Sequence, residues 1–336
     1  MRTLVLVAVM GCTTSASPMP GGGDDGTTPP DATTPADVDG DGIADQLEDH
    51  LMATFGPAVR LAPDDIDQTR PASTDWFLPQ VKLRFDHPDC PDDGSNLLDV
   101  GAITFTNLAQ QEHHTKSVTN FCRHDNDDAH LKLASNKELG FFLQAGNDAV
   151  VHAGIPASQS DQWRAYMQVR PSSYPGAAYD LQVWFFYAYN DFIASANHEA
   201  DWEHMTLSIS ADEKLVSVFY ATHHDGFRVD DMSKLQFVDT HVVGYSADGS
   251  HATYDHAGTF NLGVVGVDDH TYDGGPVWQT WTSFVNLGDV GHIMNDQTWA
   301  AYGGRWGEVG ELEDTSGPPG PMFHSEWKTA SEYPTP

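Results

Sequence analysis

Basic side chains are scarce in this chain. Sixteen lysines and arginines face 49 aspartates and glutamates over 336 residues, a formal net charge of −33. A surface of that sign repels nucleic acid and anionic lipid unless a cation intervenes, so nucleic-acid binding is excluded as a role. Two readings of the acidity stay open: solubility in a salty or calcium-rich exterior, or carboxylates gathered to hold divalent metal. Cysteine is scarce as well, with three in all. Cys12 ends the first apolar run, which leaves Cys90 and Cys122. In an oxidising compartment that pair is expected to form one disulfide, closing a loop of about thirty residues and stabilising by roughly 3 kcal/mol. No apolar run reaches the ~20 residues that span a bilayer as a helix. There is no Gly-x-Ser-x-Gly elbow, phosphate loop or paired Cys-x-x-Cys, so the usual hydrolase, nucleotide and zinc signatures are missing.

What is present begins with an export signal. Arg2 precedes the run Leu4-Val5-Leu6-Val7-Ala8-Val9-Met10, which stops at Gly11-Cys12. Its length suits the apolar region of a signal peptide. Val9-Met10-Gly11-Cys12 resembles a bacterial lipobox, which implies a signal over residues 1–11 and a lipid on Cys12. The chain is then expected to be exported and lipid-anchored at the cell envelope or surface, or otherwise secreted. Residues 12–36, rich in Thr, Pro, Gly and Asp, read as a flexible tether.

Residues 37–54 carry the next signal. Asp37, Asp39, Asp41, Asp45 and Glu48 fall at positions one, three, five, nine and twelve of Asp37-Val38-Asp39-Gly40-Asp41-Gly42-Ile43-Ala44-Asp45-Gln46-Leu47-Glu48, with glycine at six. That spacing wraps a hard cation: glycine takes the sharp turn, Ile43 offers its carbonyl and the last Glu two oxygens. The segment resembles the calcium loops of EF-hand, dockerin and thrombospondin type 3 repeats, although no helix can precede it. Calcium is expected here as a clip that ends the tether and starts a helix near residues 46–55.

Residues 55–336 read as β. Leu181-Gln182-Val183-Trp184-Phe185-Phe186-Tyr187-Ala188-Tyr189 is apolar on both faces, as for a central strand buried between layers. Met205-Thr206-Leu207-Ser208-Ile209-Ser210 alternates, Ala211-Asp212-Glu213-Lys214 turns, and Leu215-Val216-Ser217-Val218-Phe219-Tyr220 returns as its hairpin partner. His241-Val242-Val243-Gly244-Tyr245 reads as another strand. Short helices are expected at residues 160–168 and near the C-terminus. The expected class is all-β, a jelly-roll-like β-sandwich with long loops and few short helices.

The chemistry concentrates in His198-Glu199-Ala200-Asp201-Trp202-Glu203-His204. For a strand beginning at Asp201, alternation puts Asp201 and Glu203 in line with Met205, Leu207 and Ile209, at the end of a core-facing row. Carboxylates there are costly to desolvate without a cation, and basic partners are few. A continuous strand would turn His198 to the other face, so it joins them only if residues 195–197 loop round. Asn190 or Asp191, at the end of the preceding strand, reaches the same rim. An oxygen-rich set with one His suits Ca, Mg or Mn better than zinc. His-Glu-x-x-His protease chemistry fails on spacing, because its second His would fall on Trp202. His251 in Gly249-Ser250-His251-Ala252, and His223-His224, are further rim candidates.

Together with Gly303-Gly304-Arg305-Trp306-Gly307 and Gly317-Pro318-Pro319-Gly320-Pro321, these segments resemble, in order, the vacuolar protein sorting-associated protein 62 family. That family is a relative of the necrosis-inducing proteins, plant-directed cytolysins. The resemblance spans roughly residues 55–328 and implies a sandwich with a divalent cation at one end, Ca2+ or Mg2+. The necrosis-inducing pattern Gly-His-Arg-His-Asp-Trp-Glu places its metal-holding His, Asp and Glu at His198, Asp201 and Glu203. A further acidic ligand corresponds to Asn190, for which Asp191 can substitute. The pattern's Gly, Arg and second His are Asn197, Glu199 and Ala200 here, which puts cytolysin activity in question.

The expected function is cation-dependent recognition of a glycan or a membrane glycolipid head group by a tethered binding module. One alternative is a metal-dependent hydrolase of phosphoesters or glycans, with His198 or His251 as base. Another is a structural surface lipoprotein in which calcium only stabilises.

Overall fold

The computed structural model describes residues 36–86, 94–110, 112–114, 123–125, 140–192, 196–223, 225–264, 266–308, 310 and 315–328. The signal segment, Cys12, the tether up to residue 35, Cys90, Cys122 and His224 lie outside the described residues. Residues from Pro35 onward form one compact unit.

The Asp-rich loop leads into α1 (Asp45–Phe55), whose first turn carries Asp45 and Glu48 where the helix dipole favours negative charge. Leu51 and Met52 are fully buried in the main core, so this helix belongs to the same packed body as the strands.

The strands follow in chain order: β1 (Ala58–Arg60), β2 (Val81–Phe85), β3 (Glu112–His114), β4 (Arg123–Asp125), β5 (Phe141–Ala145), β6 (Ala165–Pro171) and β7 (Tyr179–Asn190). Then come β8 (His198–Ile209), β9 (Leu215–Thr222), β10 (Asp225–Val229), β11 (Phe237–Val238), β12 (His241–Ser246) and β13 (Thr253–Tyr254). The last are β14 (Gly258–Val264), β15 (Val267–Thr271), β16 (Val277–Gln279), β17 (Phe284–Asn286), β18 (Gly288–Asp289) and β19 (His292–Ile293). Besides α1 the helices are single turns: α2 (Thr74–Phe77), α3 (Phe105–Leu108), α4 (Asp148–Val151) and α5 (Ser325–Lys328). The fold is an all-β sandwich of the jelly-roll type with long loops.

Of the two larger sheets, one runs β10-β9-β8-β7-β6-β17 and the other β11-β12-β1-β16 with β13 paired to β12; the remaining strands pair as β14-β15, β18-β19, β2-β5 and β3-β4. The two larger sheets meet face to face: the ring of Phe185 lies 5.6 Å from that of Trp278, and Tyr187 Oη donates to Ser246 Oγ at 3.1 Å. On the outer face of β7 and β8, Phe186 and Trp202 pack on Trp306 at 5.5 and 5.2 Å. Loop segments cover that face, which is why β7 reads as apolar on both sides.

β7 pairs with β8 from Tyr179↔Ile209 to Asn190↔His198. The expected β9 partner and the strand at residues 241–245 are both present. Two expectations need correction. Residues 160–168 are not an α-helix: a 3-10 segment covers Ala157–Gln162 and β6 follows. β6 pairs with β7 from Ala165↔Phe185 to Pro171↔Tyr179, so sheet pairing overrides local propensity. The strand expected to begin at Asp201 begins at His198. No helix among the described residues is long and apolar enough to cross a membrane.

Candidate metal centres

Two carboxylate clusters stand out, and the Asp-rich loop is the simpler. Asp37 ties the loop together, its Oδ1 accepting from Gly40 N at 2.8 Å and its Oδ2 from Gly42 N at 3.2 Å. Gly42 sits at φ 93°, a conformation that glycine adopts freely. Ligand oxygens of Asp37, Asp39 and Asp41 lie within 4.8 Å of one another, as do those of Asp39, Asp45 and Glu48. Asp39 Oδ1, Asp41 Oδ2 and Glu48 Oε1 are buried and have no hydrogen-bond partner. The other Glu48 oxygen accepts from Asn286 Nδ2 at 2.7 Å, which fixes the carboxylate against β17. Burial, then neighbouring carboxylates, push Glu48 up to about 8 and Asp39 to about 6. The donor set is all oxygen with three uncompensated lone-pair sites, which fits a hard cation such as calcium.

The second cluster lies between the sheets at one end of the sandwich. Asp201 and Glu203 point inward as alternation requires, and are 6% and 9% exposed. Asp201 Oδ2 pairs with His251 Nδ1 at 2.8 Å, and the His251 ring stacks on Tyr187 at 3.9 Å and 3°. His251 Nε2 is buried without a hydrogen bond, with Asp67 Oδ2 3.8 Å away. Asp67 Oδ2 accepts from Gly249 N at 3.2 Å. Gly249 has φ 72°, and a Cβ there would meet the Asp191 carbonyl oxygen at 2.3 Å, so only glycine fits the turn.

Asp269, fully buried on β15, accepts from Ser250 Oγ at 2.7 Å, Tyr254 Oη at 2.6 Å and His223 Nε2 at 2.9 Å. Burial alone would raise its carboxyl, but the His223 hydrogen bond and charge, with Tyr254 and Ser250, outweigh that and hold it below its ordinary value. Among the described residues Glu203 has no such donors. Burial, then the charges of Asp201 and Asp269, push its carboxyl well above the usual range. Ala200, His223 and His251 all have positive φ, at 57°, 50° and 56°. Backbone strain of this kind, on the order of 1–3 kcal/mol per residue, gathers at functional sites.

The structure therefore brings Asp201, Glu203, His251 and, through Asp269, His223 into one interior cluster. It leaves His198 outside. Its Nδ1 bonds the Ala200 carbonyl at 2.7 Å, and among the described residues His198, Asp201 and Glu203 do not converge within one ion's reach. Asn190 pairs with His198 across the sheet, and its Oδ1 is buried and unpartnered. Asp191 is exposed and accepts from Asn197 Nδ2 at 3.0 Å. Asp67 and Asp269 were not legible as site residues, because nothing distinguishes them from the many other aspartates before the strands are paired. A cavity of about 440 Å³ opens beside the cluster, lined by Asp67, Asp191, Phe192, Asp248, Gly249 and Asp268 among others.

Residues 102–316 match the family model of vacuolar protein sorting-associated protein 62, well over half the chain. The chain belongs to that family. The match includes β7, β8 and the interior cluster apart from Asp67, and excludes the Asp-rich loop and α1. No curated protein matches the chain. Among solved structures it is similar to necrosis and ethylene inducing protein 2 from the causal agent of cocoa's witches broom disease. That likeness has 17% identity and a TM-score of 0.30, over 44% of this chain and 61% of the other. It is also similar to NLPPya in complex with glucosamine, at 12% identity and TM-score 0.27, over 41% of this chain and 56% of that one. For NLPPya in complex with mannosamine the values are 12%, 0.26, 42% and 56%. The chain spans less than two thirds of each of these structures.

Proposed function

We propose that the sandwich holds a divalent cation, Ca2+ or Mg2+, at Asp201 and Glu203, and through it recognises an oxygen-rich ligand, a glycan or glycolipid head group. The observation that carries this is Glu203, a desolvated carboxyl set between Asp201 and Asp269 with no hydrogen bond among the described residues. A bound cation removes that repulsion. Asn190 Oδ1 and Asp191 are further oxygens at the same end of the sheet, and His198 reaches the ion only if its ring leaves the Ala200 carbonyl. The adjacent acidic cavity gives hydroxyl groups room beside a partly coordinated ion. The Asp-rich loop holds a second ion, calcium, in a structural role.

Calorimetric titration of the full chain with Ca2+ and Mg2+ tests this reading. Asp201→Ala is expected to abolish one binding event and the glycan-array signal, while circular dichroism stays that of a folded chain. Undiminished binding in that variant would sink the idea. A second reading, a metal-dependent hydrolase, draws on the Asp201–His251 pair, since a carboxylate-oriented imidazole is the arrangement of a general base. Ester turnover that chelation abolishes would favour it over a binding module.

A further inference from the structure

A third group of ligand atoms lies apart from both clusters, where α4, the end of β5 and the start of β8 come together. Oxygens of Asp148 and Glu199 and a ring nitrogen of His152 lie within 4.8 Å of one another. His152 Nε2 is shielded from solvent and has no hydrogen-bond partner. The ring is held in place by stacking on Tyr189, with centroids 3.8 Å apart and planes at 7°. Glu199 is 90% buried at its side chain, 10% of which is exposed. Both its oxygens accept from Ala145 N, at 3.1 and 3.2 Å, so the carboxylate is oriented before any ion arrives. Asp148 is exposed, which leaves one side of the group open to solvent. Glu308 stands near: burial, then the charges of Glu199 and Asp148, raise its carboxyl.

We propose that Asp148, His152 and Glu199 form a site for a first-row metal dication, Zn2+ or Mn2+, distinct from the calcium loop and from the Asp201–Glu203 centre. The donor chemistry separates them. An imidazole nitrogen with only two carboxylates suits Zn2+ or Mn2+, whereas the loop offers only oxygen and the Asp201–Glu203 centre has the further oxygens of Asn190 and Asp191 at its end of the sheet. The geometry is close to what such an ion needs. His152 Nε2 and Glu199 Oε1 are 3.7 Å apart, and bonds of about 2.1 Å at a tetrahedral angle call for about 3.4 Å. An ordinary ion pair accounts for that distance but not for Asp148, and it makes no hydrogen bond with the shielded nitrogen. The open side leaves a coordination position for water or an outside ligand.

The test uses the full chain saturated with Ca2+, titrated with Zn2+ by calorimetry and with Co2+ by visible absorption. One tight equivalent is expected, with a Co2+ spectrum of mixed nitrogen and oxygen ligation. His152→Ala should remove it, and Asp148→Asn, at an exposed position, should weaken it at least tenfold without a change in fold. Asp201→Ala and Glu48→Gln should leave it intact. The proposal is overturned if no tight equivalent is found, or if His152→Ala and Asp148→Asn both retain it.

Discussion

Glu203 is a buried carboxyl that feels the negative charges of Asp201 and Asp269. In the ion-free chain its carboxyl is desolvated between Asp201 and Asp269, so charge on it works against the fold. Glu203→Gln keeps the shape and removes the charge. With chelator present, this variant is expected to melt a few degrees above the parent, since about 1 kcal/mol moves the midpoint by roughly 2–4 °C in a domain of this size. With Ca2+ or Mg2+ added the order should invert, because both proteins gain at the Asp37–Glu48 loop and only the parent gains from binding at the sandwich end as well. Paired thermal melts check both halves, and an equal response of the two proteins to cation would remove Glu203 from the site. Trp202, one residue away, has an unrelated role. It stacks on Trp299 at 5.8 Å and meets Tyr166 edge-on at 5.5 Å, so its place in the motif is structural.

Among the elements, α1 is the one whose position is expected to depend on an ion. Its apolar face, Leu51 and Met52, is in the main core, while its first turn presents Glu48 to β17. Chelation leaves the orphaned oxygens of Asp39, Asp41 and Glu48 uncompensated, and the melting midpoint should fall; Glu48→Gln should show a smaller chelator response. The pH sign follows from the raised carboxyls. In the ion-free fold Asp39 titrates near 6 and Glu48 near 8, against ordinary values of 3.8 and 4.5. Stability from their protonated forms is present at pH 4 and is lost as pH rises through 8. Calcium must displace those protons, so its affinity should rise from pH 5.5 to 8.5, as calorimetry at the two values would show. The loop was legible because its ligands are local in sequence, and α1 runs from Asp45 where the pattern gave residue 46. β8 and β9 were legible from apolar alternation, and β7 from a long run apolar on both faces. β6 was not: Ala165 to Val169 are buried in succession, so no alternation marks them as strand. Asp67, Asp269 and Asn286 reach their clusters only through long-range pairing, which spacing cannot encode.

At the scale of the whole molecule the question is how a chain with net charge −33 approaches a membrane. Two routes are expected, and they separate cleanly. On the producing cell the lipid expected on Cys12 would supply the anchor without regard to charge. Cys12→Ser should therefore move the protein from the membrane fraction to the soluble one. Toward a target surface the charge opposes approach within the ~8 Å screening length of physiological salt. Association must then come from short-range coordination rather than from the long-range field. The Cys12→Ser chain is accordingly expected to bind vesicles bearing a glycosylated head group only when millimolar Ca2+ is present. It should bind plain phosphatidylserine vesicles weakly under the same conditions, since an ion held at Asp201 and Glu203 would select hydroxyl oxygens in the neighbouring cavity. Equal binding to both vesicle types in a sedimentation assay would mean that calcium merely bridges carboxylates to anionic lipid. Loss of the glycosylated-vesicle signal in Asp201→Ala, with calcium still bound at the Asp37–Glu48 loop, would place recognition at the sandwich end.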